Sequence, residues 1–412
     1  MEFQIYTGES IAENLTALGL PSAFIDKTIT CTTIKYHFNL ENITKLPKVK
    51  KVAELLSATC HEPIKVLSSQ IGHFCLEFTR KEREFPTYAQ TWLKIKEFDS
   101  SAISFGIDEN NEIVARKLKD LQNILISGLT GSGKSVFLNN IIMNIHCHKD
   151  NTKLVLIDPK EVEFSKYENS DRLILPVATD IESSISALNT LCNEMDNRYK
   201  QLRELGLRDN TQGTFHKIVV VVDELADLML TSKGEVEEYI VRLAQKGRAC
   251  GIHLVLATQR PTVNVVTGLI KANMATRVAF ASASMRDSMV TLDYAGSEKL
   301  LGKGDCLIKF PDKMQVVRCQ SPFVSDKDIE CITKTFQPRV WNNQPTQNAT
   351  TPKIATTSHK TSWLDKILGK LGFDRSRPQR TQNSGISAPK SQVPYNIDEQ
   401  NFFDCVEDDE EN

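Results

Sequence analysis

Residues 128–135 read Gly128, Leu129, Thr130, Gly131, Ser132, Gly133, Lys134 and Ser135, the pattern GxxxxGK[ST] in full. Glycines at this spacing let successive backbone N–H groups turn inward around phosphate oxygens. The N-terminus of a following helix adds its partial positive charge. Lys134 is placed to reach the β- and γ-phosphates of ATP, and Ser135 to ligate Mg²⁺. Since the ammonium is expected to touch phosphate and not the core, removing it is expected to leave the fold intact. A second element of the same chemistry lies downstream, where five aliphatic residues, 218–222, run into Asp223 and Glu224. A buried strand of that kind delivers carboxylates to the edge of a sheet where α/β proteins bind ligands. Asp223 is the candidate Mg²⁺ holder, and Glu224 the candidate base that orients and deprotonates the attacking water. An acidic helix cap is the plainer alternative, but it explains one acid and not both. A third run, residues 253–261, ends in Thr258 and Gln259, which makes Gln259 a candidate γ-phosphate sensor.

These groups need strands and helices to hold them. Residues 123–127, 154–157, 218–222, 254–257 and 277–280 are short, nearly continuous apolar runs. Strands of a parallel sheet look like this because helices cover both of its faces. Helical segments are expected between them at 134–146, 181–205 and 235–249. The predicted class is α/β, a RecA-like P-loop NTPase domain with a parallel sheet over residues 104–336. Residues 1–103 alternate strand-like and helix-like segments, with strands expected at 30–40 and 74–78 and a helix at 48–58, and read as a small α+β domain. The Lys-rich stretch at 45–51 reads as a solvated helix start, with DNA contact the less favoured alternative. From 337 to 412 the composition turns to Gln, Asn, Thr, Ser and Pro, which cannot bury enough apolar surface to fold, so this tail is expected to be largely disordered. Within it, residues 362–373 place Leu364, Ile367, Leu368 and Leu371 on one helical face, a docking stripe for a partner protein or a membrane surface.

Bulk properties narrow the setting. The chain has 412 residues and a net charge of −2, so no global basic field draws it to nucleic acid and any such surface must be local. Its ten cysteines stand singly, with no CxxC pair and no zinc spacing. No secretion signal opens the sequence and no apolar run is long enough to span a bilayer, so a reducing cytoplasmic compartment is expected.

The stretches GLTGSGKS, LVLIDPKEVEFSKYE, MDNRYKQLRELGLR, VVVVDELADLM, VRLAQKGRACGIHLVLATQRPTVNVVTGLIKANMATRVAF and LLGKGDCL carry a resemblance over residues 30–323. This segment resembles the motor of the FtsK/SpoIIIE DNA translocases. The resemblance implies that the N-terminal module is similar to the family's α domain and the P-loop domain to its β domain. It further implies a homohexamer around double-stranded DNA, with ATP sites at subunit interfaces completed by an arginine of the neighbour. Arg248 is the candidate for that arginine and Arg277 the alternative. Lys271, in GLIKAN, matches a pore-loop residue that meets the DNA backbone. Where the family usually carries a Lys and an Arg, this chain reads Ser284, Met285, Arg286, Asp287, Ser288 and Met289, leaving Arg286 as a partial replacement in the DNA path. Neither the family's membrane-spanning region nor its winged-helix γ domain is expected here. The implied function is ATP-driven translocation of duplex DNA. An ATPase energising protein export is the alternative, and a non-hydrolysing DNA-binding module is the least favoured.

Overall fold

The computed structural model describes residues 7–334, apart from residues 71, 99–101, 148–149 and 233. The tail at 337–412 and its stripe at 362–373 lie outside the described residues.

The first elements are α1 (Gly8–Ala17), β1 (Ser22–Ile29), β2 (Thr33–Leu40), α2 (Val49–Cys60), β3 (Ile64–Gln70) and β4 (His73–Thr79). Their strands form an antiparallel sheet in the order β1-β2-β4-β3. Tyr36, Phe38 and Leu40 alternate along β2 onto one buried face, as a two-residue period requires. Ile11 and Leu15 of α1 and Leu56 of α2 close over that face, where the Phe38 and Phe74 rings stack at 5.4 Å. The strand expected at 30–40 is β2, and β1 before it was not anticipated.

The remaining elements are α3 (Tyr88–Phe98), β5 (Ala102–Asp108), β6 (Ile113–Lys117), α4 (Leu118–Leu121), β7 (Ile124–Ser127), α5 (Lys134–Cys147), β8 (Lys153–Ile157), α6 (Ile181–Glu204), β9 (Ile218–Val222), α7 (Leu225–Thr231), α8 (Glu235–Lys246), β10 (Ile252–Thr258), α9 (Gly268–Asn273), β11 (Thr276–Phe280), α10 (Met285–Leu292), β12 (Asp305–Lys309), β13 (Val317–Gln320) and α11 (Asp326–Thr333). Nine strands make one sheet in the order β6-β5-β13-β12-β11-β7-β10-β9-β8. The five strands expected from apolar runs are its contiguous parallel half, β11-β7-β10-β9-β8. They are covered on both faces, and β9 and β10 are buried throughout.

The other half adds antiparallel strands to the expected parallel ones. β12, β13, β5 and β6 pair antiparallel, so the sheet is mixed. Polar and charged residues interrupt these strands, as in Ile-Val-Ala-Arg-Lys of β6 and Val-Arg-Cys-Gln of β13, and such runs carry no periodic signal that separates strand from loop. Helix α8 also stops at Lys246, short of the expected 249, and a 3₁₀ turn, Gly247–Cys250, leads into β10. The long α6 begins with a capping box between Asp180 and Ser183 and buries Leu188, Leu191, Met195 and Leu202 at helical spacing. No helix among the described residues is long and apolar enough to cross a membrane.

Candidate nucleotide site

The loop between β7 and α5 is the glycine-rich motif, set at the C-terminal edge of the parallel strands. Gly131 and Gly133 take φ of 74° and 109°, left-handed values that favour glycine. Gly133 has a second reason to be glycine, because an added Cβ would lie 2.5 Å from the backbone nitrogen of Gly304. That nitrogen donates to the Ser132 carbonyl at 2.8 Å, so the loop preceding β12 is bonded directly to the glycine-rich turn.

Lys134 opens α5 and is almost wholly buried. Its Nζ donates to the Asp223 carbonyl oxygen at 2.7 Å and to Asp223 Oδ1 at 2.9 Å. Asp223 follows β9, and Glu224 after it is buried as well. Glu224 caps α7 by accepting from the Ala226 N–H at 3.3 Å, so the capping reading is part of its geometry. The carboxylate has further partners: Thr258 donates to Oε1 at 2.7 Å, and the Gln259 N–H lies 3.1 Å from Oε2. Glu224 thus joins the ends of β9 and β10. Gln259 in turn accepts from Thr130 Oγ1 at 2.9 Å, joining β10 to the glycine-rich loop. Lys134, from the start of α5, and Asp223, Glu224 and Gln259, from the ends of β9 and β10, are therefore brought together.

Three charged residues here, Asp158, Lys160 and Glu163, went unremarked in the sequence. Asp158, fully buried after β8, accepts from the N–H groups of Glu163 and Phe164 at 2.8 and 3.0 Å and folds residues 158–164 back over the sheet edge. This turn places Lys160 Nζ 3.7 Å from Glu224 and 3.4 Å from Asp227, and Glu163 at the cavity wall. The run DPKEVEF was legible only as a family stretch, because its role depends on the chain reversal. The cavity itself measures about 630 Å³ and is lined by the glycine-rich loop, Gln259, Glu163, Lys303 and Gly304, together with Phe85, Pro322 and Phe323.

The oxygen donors fit Mg²⁺ held with a nucleotide. A hydroxyl, Ser135, and a carboxylate, Asp223, are the hard ligands such an ion takes alongside phosphate oxygens and water. Among the described residues no cluster of three or more His, Cys, Asp or Glu could hold a metal by itself.

The other candidate residues lie elsewhere. Arg248 is exposed in the 3₁₀ turn at the start of β10, whereas the glycine-rich loop follows the end of its parallel neighbour β7. It is at the opposite edge of the sheet and does not enter this cavity. Arg277 donates to the carbonyls of Met274 and Lys271, each at 2.9 Å, and pairs with Asp293. Lys271 also pairs with Asp293, at 2.6 Å, and donates to the Met289 carbonyl. Burial alone would raise the Asp293 carboxyl, but hydrogen bonds from Lys271 and Arg277 hold it down to about 2. Both cations are thus engaged within the fold. Arg286 stands on the exposed face of α10 beside Met285 and Met289, whose exposures are 60% and 45%.

A P-loop inside a mixed sheet whose parallel strands end in a lysine-bound aspartate and a buried glutamate defines a P-loop ATPase domain of the RecA-like kind. Residues 93–217 and 208–263 match the FtsK/SpoIIIE family model, so this segment of the chain is similar to the FtsK/SpoIIIE family. Similar curated proteins include the DNA translocase FtsK of Caldanaerobacter subterraneus subsp. tengcongensis, 42% identical over 264 residues, which are 61% of this chain and 37% of that one. The DNA translocase SftA of Bacillus subtilis is 45% identical over 242 residues, 56% of this chain and 25% of its own length. The FtsK of Corynebacterium glutamicum is 35% identical over 383 residues, covering 85% of this chain and 41% of that relative. The chain therefore spans well under half the length of these relatives. Among solved structures, the pCW3 conjugation coupling protein TcpA, a monomer form with ATPγS, superposes with a TM-score of 0.57 at 23% identity, covering 78% of this chain and 97% of that one.

Proposed function

We propose that this chain is an ATP-hydrolysing motor that moves double-stranded DNA and works as a homohexameric ring. The observation that carries the reading is Glu224: a buried carboxylate next to the Lys134–Asp223 pair that accepts from the N–H of Gln259, a residue lining the same cavity as the glycine-rich loop. Similarity to relatives named as DNA translocases supports DNA as the substrate.

In this reading the backbone N–H groups of residues 128–135 cradle the phosphates of ATP. Lys134 turns from Asp223 to the β- and γ-phosphates, and the freed Asp223 carboxylate, with Ser135, holds Mg²⁺. The ion, when bound, neutralises charge on the transferred phosphoryl group. Glu224 takes the proton of the attacking water, held in place by Thr258 and the Gln259 N–H. Gln259, bonded to Thr130, senses the γ-phosphate. Arg248, exposed at the far edge of the sheet, is the residue proposed to complete the site of a neighbouring subunit, with Arg277 as the alternative. Lys271 and Arg286 are the proposed DNA contacts, and Lys271 must exchange Asp293 for phosphate to serve. The proposed division is 1–103 for the smaller module, 104–336 for the motor and 337–412 for the tail. The packing of α3 against β5 favours moving the first junction forward, to the segment after β4. A cytoplasmic location and a tail partner complete the proposal.

The test is ATP turnover of the purified chain with and without linear duplex DNA. Turnover is expected to rise with duplex, and Glu224→Gln is expected to bind ATP while losing about 10²–10⁴-fold in kcat. Turnover indifferent to duplex would remove DNA as the substrate and favour export of protein, and near-normal turnover in Glu224→Gln would remove that residue as the base.

A further inference from the structure

The cavity has two dissimilar sides, and the sheet order says which end of a nucleotide each receives. Asp223, Glu224 and Gln259 follow β9 and β10, on one side of β7. Lys303, Gly304, Ser321, Pro322 and Phe323 flank β12 and β13, on the other side. β12 starts opposite the end of β11, because Cys306 pairs with Phe280, and β13 ends opposite the start of β12, because Gln320 pairs with Asp305. Both segments therefore reach the same edge as the glycine-rich loop. With the reacting phosphate at the β9–β10 side, the opposite wall is left for the base and sugar.

That wall is aromatic, and part of it comes from the segment that joins the four-stranded sheet to α3. Phe85 and Phe323 both line the cavity and are 37% and 52% exposed, unusual for phenylalanines otherwise supported by the backbone. Their segments are bonded together: the Phe323 N–H donates to the Pro86 carbonyl at 2.7 Å, and the Tyr88 N–H to the Phe323 carbonyl at 2.9 Å. Behind Phe85 the Arg83 guanidinium lies 5.1 Å from the ring centroid. The same guanidinium donates to the carbonyls of Leu301 and Gly302 at 3.2 and 2.9 Å, and to the Gln320 side chain at 3.2 Å. Gln320 in turn donates to the carbonyl of Lys303, whose φ is 51°. Arg83 thus ties the Phe85 ring to the loop that is bonded to Ser132.

We propose that Phe85 and Phe323 form a stacking subsite for a purine base, with Arg83 as its positioning residue, so that the segment leaving the N-terminal sheet supplies part of the nucleotide site. This rests on the reading of the cavity as a nucleotide site. Stacking is worth more for two fused rings than for one and needs no reading of the base edge. Purine nucleotides are therefore favoured over pyrimidine nucleotides.

The experiment measures the dissociation constants of ATPγS, ADP, CDP and inorganic tripolyphosphate for the full chain by calorimetry. Tripolyphosphate carries the phosphates without a base. Phe85→Ala is expected to weaken ATPγS and ADP about 10-fold while leaving tripolyphosphate unchanged. Phe85→Trp is expected to keep wild-type affinity, and CDP to bind the wild type more weakly than ADP. Arg83→Ala is expected to follow Phe85→Ala, again with tripolyphosphate unchanged. Wild-type affinity for ADP in both Phe85→Ala and Phe323→Ala, or equal binding of ADP and CDP, overturns the subsite. Loss of tripolyphosphate binding in Arg83→Ala overturns its positioning role in favour of support for the glycine-rich loop. Failure of the wild type to bind tripolyphosphate or any nucleotide overturns the nucleotide site itself, and is distinct from the other outcomes.

Discussion

Lys134 and Asp223 each expose about 3% of their surface, and each satisfies the other. The expectation that Lys134 could be removed without touching the fold is therefore corrected. Its loss strands a buried carboxylate, at a cost of about 1–3 kcal/mol. Lys134→Ala is expected to lower the melting temperature by a few degrees as well as to abolish turnover, and adding Asp223→Asn to recover the temperature but not the turnover. Calorimetric scans of the two variants check this, and equal melting temperatures for Lys134→Ala and the parent would show the carboxylate to be satisfied by water. At this scale the sequence was legible wherever a role follows from spacing. Glycines three and five residues apart before a lysine, or two acids after five aliphatics, state their chemistry directly. Lys160, Phe85 and Arg83 do not, because each acquires its neighbour through a reversal of the chain or a partner more than sixty residues away.

Among the elements, α10 bears most directly on the proposed DNA path. Ser284 caps it by accepting from the Asp287 N–H, and Met285 and Met289, one helical turn apart, share its exposed face with Arg286. Lys271 donates to the Met289 carbonyl, so α9 and α10 present this face together. Methionine contributes no counterion release, and each phosphate neutralised by a cation adds about 0.9 to the slope of log affinity against log salt. Met285→Lys combined with Met289→Arg is expected to steepen that slope by about 1–2 and to tighten duplex binding. Fluorescence anisotropy across a salt series measures it, and an unchanged slope takes α10 out of the DNA path. The parallel strands were legible as elements because burial on both faces leaves an uninterrupted aliphatic run. The antiparallel strands were not, because polar and charged residues interrupt their apolar runs, as in Ile-Val-Ala-Arg-Lys of β6 and Val-Arg-Cys-Gln of β13.

For the molecule as a whole, the junction between the two sheets is electrostatic. Arg318 of β13 reaches Asp305 at 2.9 Å and Glu77 of β4 at 3.2 Å, and Lys35 of β2 lies 3.9 Å from Glu77 and 3.7 Å from Glu109. Glu77 and Asp305 are buried, so the network is shielded from salt. Arg318→Ala leaves two buried carboxylates without their shared cation, a loss of about 3–5 kcal/mol. It is expected to lower the melting temperature by roughly 5 °C or more. A smaller change than that of an exposed control such as Lys65→Ala would mean that the sheets do not depend on this arginine. None of this was readable in advance, since the partners of Arg318 are distributed over β4 and β12, strands of two different sheets, and the turn after β5.

The place of β13 also sets how late in synthesis the sheet can be completed. It lies between β12 and β5, yet β5 ends at Asp108 and β13 begins at Val317. About 200 residues must be synthesised after the β5–β6 hairpin before its second neighbour exists, roughly 10–40 s of translation. Through that interval the nascent chain carries an open strand edge at β5, a surface that ribosome-associated chaperones are suited to shield. The wall containing Phe323 arrives with the same late segment, so a ribosome-bound chain holds its glycine-rich loop well before it holds a complete pocket.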